Sequence, residues 1–331
     1  MMAAAAMYRV DRFWAMNTTI DLALAEEAAD ELEVQGWLEE VRRWFAYAEA
    51  TFSRFLPESE LCRLNRSEGR PMLISDTMME VLQRTAEYRR RTGGKFDPFV
   101  LPALERAGYD VSFEHIGAAP LSGASAEGQQ KAHQSMLQLN PGMRSARLLG
   151  GGRLDLGGIV KGWAVDRISA RLSERGVRSG MVNAGGDLCV WGDVRHDQAP
   201  WEIDIEAPSG GQLGTVQLAK GSVATSSTLG RRWDTGKGGM HHLIDPQTME
   251  PARSDIVQCT VVGSSVCESE IYAKAICLLG NLSGPDWLKK IDASGTLEAV
   301  FVTEAGATHY IGTKEKLESH WSGLTPDSLH F

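Results

Sequence analysis

Apolar and polar positions along the chain change period several times, and each change marks an element. Trp14 to Leu24 alternates with the period of two that suits a half-buried strand. From Glu26 to about Phe52 the apolar residues Leu32, Trp37, Leu38, Val41, Phe45 and Ala48 recur near helical spacing, so a strand followed by a long helix is predicted. Ser75 to Arg91 is helical in pattern, with Asp76 as a candidate cap and Gly93-Gly94 as a stop. Leu137 to Leu156 reads as two short strands around Gly150-Gly151-Gly152. Lys161 to Arg175 reads as a helix through Val165, Ile168 and Leu172, capped by Gly176. Met181-Val182 and Leu188 to Trp191 flank Asn183-Ala184-Gly185-Gly186, which suits a tight turn between strands. Trp201 to Glu206, Thr215 to Leu218, His242 to Ile244, Val257 to Val262 and Ala299 to Tyr310 complete the predicted strands, and Ser265 to Leu279 is the last predicted helix.

Helices and strands are mixed without strict βαβ alternation, which predicts an α+β sheet-and-helix fold and not a doubly wound parallel sheet. The 331 residues are read as one domain, 1–331, with two lobes, a flexible loop over about 117–134 and a C-terminal tail over about 313–331. With 43% hydrophobic and 23% charged residues, disordered and fibrous classes are excluded. The net charge of −9 opposes attraction to a polyphosphate backbone, so no nucleic-acid partner is expected. Met1 to Met7 is too short for a signal core or a membrane span. Cys62, Cys189, Cys259, Cys267 and Cys277 lack CxxC spacing, and free thiols in a reducing cytoplasm are the reading they favour.

In this acidic chain a phosphate-bearing ligand needs local donors, and Leu154 to Trp163 offers them. There a strand is expected to turn through Gly157 and Gly158 into a helix whose N-terminus carries partial positive charge, with Lys161 adding a full one. The same glycines could simply pack the helix against the strand. The spacing fits neither a GxGxxG turn nor a P-loop. In Met240 to Pro246, His241 and His242 would face opposite sides of a strand, so one is structural and the other could serve as a base. Glu270 and Lys274, four apart in a helix, share a face. Exposed, they form a weak ion pair; turned to a pocket, Glu270 could hold a hard cation and Lys274 could neutralise phosphate.

Taken in order, several stretches resemble the FAD:protein FMN transferase (ApbE) family. They are Phe52 to Asn65, Gly93 to Pro98, Asp155 to Trp163, Val182 to Asp187, Ala224-Thr225-Ser226, and His241 to Pro246. The resemblance implies a fold that binds FAD between two lobes and, with Mg²⁺, transfers FMN to a Ser or Thr hydroxyl of an acceptor protein while AMP leaves. It places FAD contacts at Met16, Phe55, Lys95, Phe96, Asp97, Asp155, Lys161 and Ile244. His242 is the candidate base. The family's metal site, a carbonyl at the Gly158 position plus an Asp and a Thr one helical turn apart, falls here on Gly158, Glu270 and Lys274. Lysine offers no lone pair to a cation, so Lys274 is assigned to the ligand instead. Two further departures are Asn17, where the family has Gly, and Ser227-Thr228-Leu229, where it has Gly-Asp-Tyr. They leave open an FAD-binding or FAD-hydrolysing protein without transferase activity, or a scaffold without the ligand.

Overall fold

The computed structural model describes residues 8–25, 31–113, 135–192, 199–230, 232–234 and 239–331. The loop expected over 117–134, the N-terminal stretch 1–7 and the start of the first helix at 26–30 lie outside these residues. The chain forms two compact units, 1–47 with 161–226 and 255–331, and 48–160 with 227–254.

The first unit is built on a nine-stranded sheet. In spatial order its strands are Tyr8–Ala15, Thr18–Ala25, Gly180–Ala184, Asp187–Trp191, Gly221–Ser227, Ile256–Gly263, Glu298–Thr303, Thr308–Ile311 and Ser328–His330. Thr308–Ile311 and Ser328–His330 pair in parallel, whereas the hairpins among the other strands are antiparallel, as the mixed reading of the sequence requires. The expected single strand from Trp14 to Leu24 is a hairpin. It turns at Met16 and Asn17, whose φ angles of 51° and 61° are both left-handed, as a two-residue turn between twisted strands demands. Asn accepts that conformation through its short polar side chain, and Met does so without such help. Ala299 to Tyr310 is likewise two strands and not one.

A second sheet of this unit orders Trp321–Ser322, Gln212–Leu218 and Trp201–Glu206. Leu188, Val190, Ile203, Val216, Val300, Tyr310 and Trp321 form one apolar cluster drawn from both sheets, because alternate residues of each strand turn inward. The residues expected as a tail instead form the Lys314–His320 helix and the strands Trp321–Ser322 and Ser328–His330. Buried Glu298 anchors them, accepting from Tyr310 Oη (2.9 Å), Trp321 Nε1 (2.9 Å) and His320 Nδ1 (2.7 Å).

Two helices of the first unit, Val160–Glu174 and Val266–Ile291, meet at Gly162. A Cβ there would lie 2.7 Å from Cys267 Cα and 2.8 Å from its nitrogen, so only glycine permits the approach. Asp166 accepts from Ser265 Oγ, Val266 N and Cys267 N at 2.7, 2.8 and 3.0 Å, satisfying backbone donors that the start of the second helix would otherwise orphan. That helix runs past the expected end at Leu279, through a break at Gly280 (φ 74°), to Ile291.

The second unit carries the helices Glu60–Asn65, Asp76–Arg91 and Leu101–Arg106 with a three-stranded sheet ordered Met72–Leu73, Ser145–Leu149, Met136–Asn140. Ser75, not Asp76, caps the Asp76–Arg91 helix, accepting from Met78 N at 3.1 Å. The hairpin turns over Pro141 to Arg144, not at Gly150 to Gly152, and residues 152–156 belong to no helix or strand.

Candidate functional site

In the first unit a buried polar cluster centres on Lys161, in the first turn of the Val160–Glu174 helix. Its ammonium bonds Asp187 Oδ2 and lies 3.3 Å from Glu270 Oε1. Glu270 Oε2 accepts from Gly162 N at 3.1 Å, so the glycine that lets the two helices touch also donates to the carboxylate. The side chains of Lys161, Asp187 and Glu270 are 14%, 5% and 8% exposed, which removes most of the screening that weakens surface pairs. Asp187 is set by the Gly185-Gly186 turn (φ 65° and 96°), and Gly186 N donates to Asn183 Oδ1 at 2.8 Å. Glu270 therefore faces Lys161 and forms no ion pair with Lys274. Lys274, partly buried one helical turn later, makes no hydrogen bond or ion pair with any described residue.

Met16 and Asn17 stand at the tip of the first hairpin. The side-chain nitrogen of Asn17 is buried and has no hydrogen-bond partner among the described residues. The expected alternative for Gly157, free backbone donors, is not what the second unit shows, because Gly157 N donates to Asp155 Oδ1 at 2.7 Å. Gly158 is buried immediately before the helix.

In the second unit Asp155 pairs with Arg54 at 2.7 Å, and both side chains are largely buried. The Arg54 guanidinium lies 4.1 Å from the Phe55 ring centroid and 4.5 Å from that of Tyr109, and its Nη2 donates to the Tyr109 carbonyl. Asp97 caps the turn at Pro98–Val100 by accepting from Phe99 N at 2.9 Å, and Arg89 Nε donates to its other oxygen. Phe96 is 3% exposed in the core. Lys95 is partly buried beside them and makes no ion pair or hydrogen bond with its side chain among the described residues. Phe96 and Asp97 thus hold the turn on which Lys95 sits.

The strand expected at His242 to Ile244 is absent. Gly239–His241 and Ile244–Asp245 are separate strands, and His242 lies in the bend between them. His241 is the structural histidine of the pair: Nε2 contacts the Ala252 carbonyl at 3.1 Å, and Nδ1 accepts from Leu243 N. Burial lowers its pKa, so it favours the neutral ring. His242 is partly buried and Ile244 is buried at 5% exposure. The five cysteines are all free; burial pushes the Cys189 thiol up to about 11 and Cys277 up to about 12, which disfavours the thiolate a nucleophile needs.

Arg54 and Asp187 were not singled out from the sequence, although both lie inside the stretches that carry the family resemblance. The usable signal was charge: each is the opposite partner of a candidate, Asp155 and Lys161, in a segment too apolar to leave a charge unpaired.

The ApbE family model matches residues 16–301. The chain belongs to the ApbE family. A FAD:protein FMN transferase of Rhodobacter capsulatus is 28% identical over 276 residues, covering 80% of this chain but 49% of that protein, about half its length. One of Treponema pallidum is also 28% identical, over 75% of this chain and 72% of its own. The crystal structure of an ApbE protein from Thermotoga maritima superposes with a TM-score of 0.79 at 21% identity, over 93% of this chain and 98% of that one. The flavin transferase ApbE from Vibrio cholerae gives 0.77 at 20%, over 95% and 99%. At these identities the structures establish the ApbE fold. The α+β sheet-and-helix reading is therefore correct.

Proposed function

We propose that this ApbE-family protein transfers FMN from FAD to a Ser or Thr hydroxyl of an acceptor protein and releases AMP. The observation that carries the reading is the buried Lys161 ammonium held by Asp187 and Glu270 at the start of a helix, inside the family-matched region. In the reaction the acceptor oxygen bonds to the phosphorus of the FMN half, the bond between that phosphorus and the bridging oxygen breaks, and AMP leaves with the bridging oxygen. Lys161 counters charge that grows on that leaving oxygen. His242 is assigned the hydroxyl proton. Met16, Phe55, Lys95, Asp155, Ile244 and Lys274 are assigned to the ligand, with Phe96 and Asp97 acting through the turn that presents Lys95.

Mg²⁺ is the cation the resemblance implies, and the residues at its position do not suit it. Each oxygen of Glu270 already meets a donor, and Lys274 has no lone pair. Among the described residues no three His, Cys, Asp or Glu side chains are grouped to hold a metal. No described helix is long and apolar enough to cross a membrane. Five free thiols favour a reducing compartment, and the cytoplasm is the location we assign.

Incubation with FAD and candidate acceptor domains, read by intact mass and nucleotide chromatography, tests the reading. An acceptor heavier by FMN with matching AMP supports it. Bound but intact FAD, or AMP and free FMN without a labelled acceptor, supports the second reading that Lys274 motivates: an FAD-binding or FAD-hydrolysing protein.

A further inference from the structure

We propose that this chain holds the ligand's diphosphate without a divalent cation, Lys274 supplying as a tethered ammonium the positive charge that a bound metal would bring. The inference rests on the FAD reading above and departs from the family's metal requirement. Three features of the first unit carry it.

Two buried carboxylates, Asp187 and Glu270, hold the Lys161 ammonium between them, so that cation is already committed within the fold. Buried charge is costly unless it is paired. Lys274 lies one helical turn beyond Glu270, partly buried, with no hydrogen bond or ion pair to any described residue. Holding an ammonium in that setting without a counter-ion has a cost too, and an anionic ligand oxygen would remove it.

The commitments of Glu270 point the same way. Its Oε1 faces Lys161 and its Oε2 takes the Gly162 amide, a donor fixed in place because Gly162 is pressed against the Cys267 backbone. Turning this carboxylate toward a cation would give up the amide bond. A dication arriving there would also meet two ammonium groups, whereas a diphosphate oxygen would meet three N–H donors on Lys274.

Calorimetric titration of FAD into the purified chain, in EDTA and then in Mg²⁺, tests this directly, with Lys274→Thr and Lys274→Arg alongside. Expected are dissociation constants for the native chain that agree within about twofold in the two buffers. Lys274→Thr should lose about tenfold or more in EDTA and recover with Mg²⁺, while Lys274→Arg stays indifferent to the metal. Circular dichroism melts establish that each variant is folded, and the native chain alone decides the matter if Lys274→Thr is not. Loss of native binding in EDTA with recovery in Mg²⁺ overturns the proposal, as does a Lys274→Thr affinity equal to the native one in EDTA. FAD bound equally in both buffers with no FMN on any acceptor leaves this inference standing and removes the transferase reading. Absence of FAD binding in either buffer removes both.

Discussion

The two units each bury a charged centre, and the centres are built on opposite plans. Around Arg54 one cation meets one anion: Asp155 takes the guanidinium on one oxygen and Gly157 N on the other, while the rings of Phe55 and Tyr109 lie against the guanidinium and the Tyr109 carbonyl takes a further donor. Every charge there is answered by the fold itself. Around Lys161 one cation serves two anions, and a further ammonium stands one turn away without a partner among the described residues. A satisfied pair fixes backbone; an ammonium without a partner among the described residues keeps positive charge available for a ligand. Asp155 is thus held by Arg54, and on the function proposed above the Lys161 centre is the one assigned to the chemistry.

Removing the cation from the open centre should have the largest effect. Lys161→Ala leaves Asp187 and Glu270 buried with no ammonium between them, and an expected loss of about 3–5 kcal/mol follows from stranding buried charge. Urea unfolding measures it, and transfer to an acceptor should vanish even where the variant remains folded. A loss below about 1 kcal/mol would mean that the cluster is solvated and that the contrast with Arg54 is empty.

The closed centre is probed by Arg54→Lys, which keeps the charge but loses the planar fork and its stacking on Phe55 and Tyr109. About 1–2 kcal/mol should be lost. FAD affinity should fall only as far as the Asp155 segment loosens, and Asp155→Ala should reproduce that fall. Unchanged affinity in Asp155→Ala would detach this unit's centre from the ligand altogether.

Acid provides the smallest and most selective perturbation, because neither centre contains histidine. His309 and His330 stack at 5.4 Å with Nδ1 of one 3.1 Å from Nε2 of the other, and burial holds both below the ordinary value of 6.5. As pH falls through that value the unfolded chain takes up protons that the folded rings refuse. Stability is thus fully present above it and declines below. A melting temperature that drops between about pH 7.5 and 5.5, and drops less in His330→Gln, is expected. An identical drop in that variant would return the acid sensitivity to other groups.

How far these features could be read from sequence depended on whether they were local. Period and glycine placement located the Asp76–Arg91 helix to within a residue, and the Gly185-Gly186 turn between its strands, because each is decided by neighbours in the chain. The turn at Met16-Asn17 escaped notice, since neither residue is the glycine that usually announces left-handed backbone. The hairpin at Pro141 to Arg144 was displaced onto the more conspicuous Gly150 to Gly152. At the site, Lys161 and Glu270 could each be suspected, yet their meeting could not. Nothing local tells that a residue 109 positions later will come to face Lys161, and the i, i+4 spacing argued for the wrong partner, Lys274. Gly162 was read only as part of a phosphate-binding turn, when its main demand comes from the backbone of Cys267.

The strands at Trp321–Ser322 and Ser328–His330 are each an outermost member of a sheet in the first unit. A ribosome therefore delivers them after every other strand of those two sheets, and until then both present raw backbone to whatever is nearby. Nascent chains that stall or are clipped ahead of Trp321 should clump together instead of surviving as weakened enzymes, so premature stop codons here would be expected to act as complete nulls.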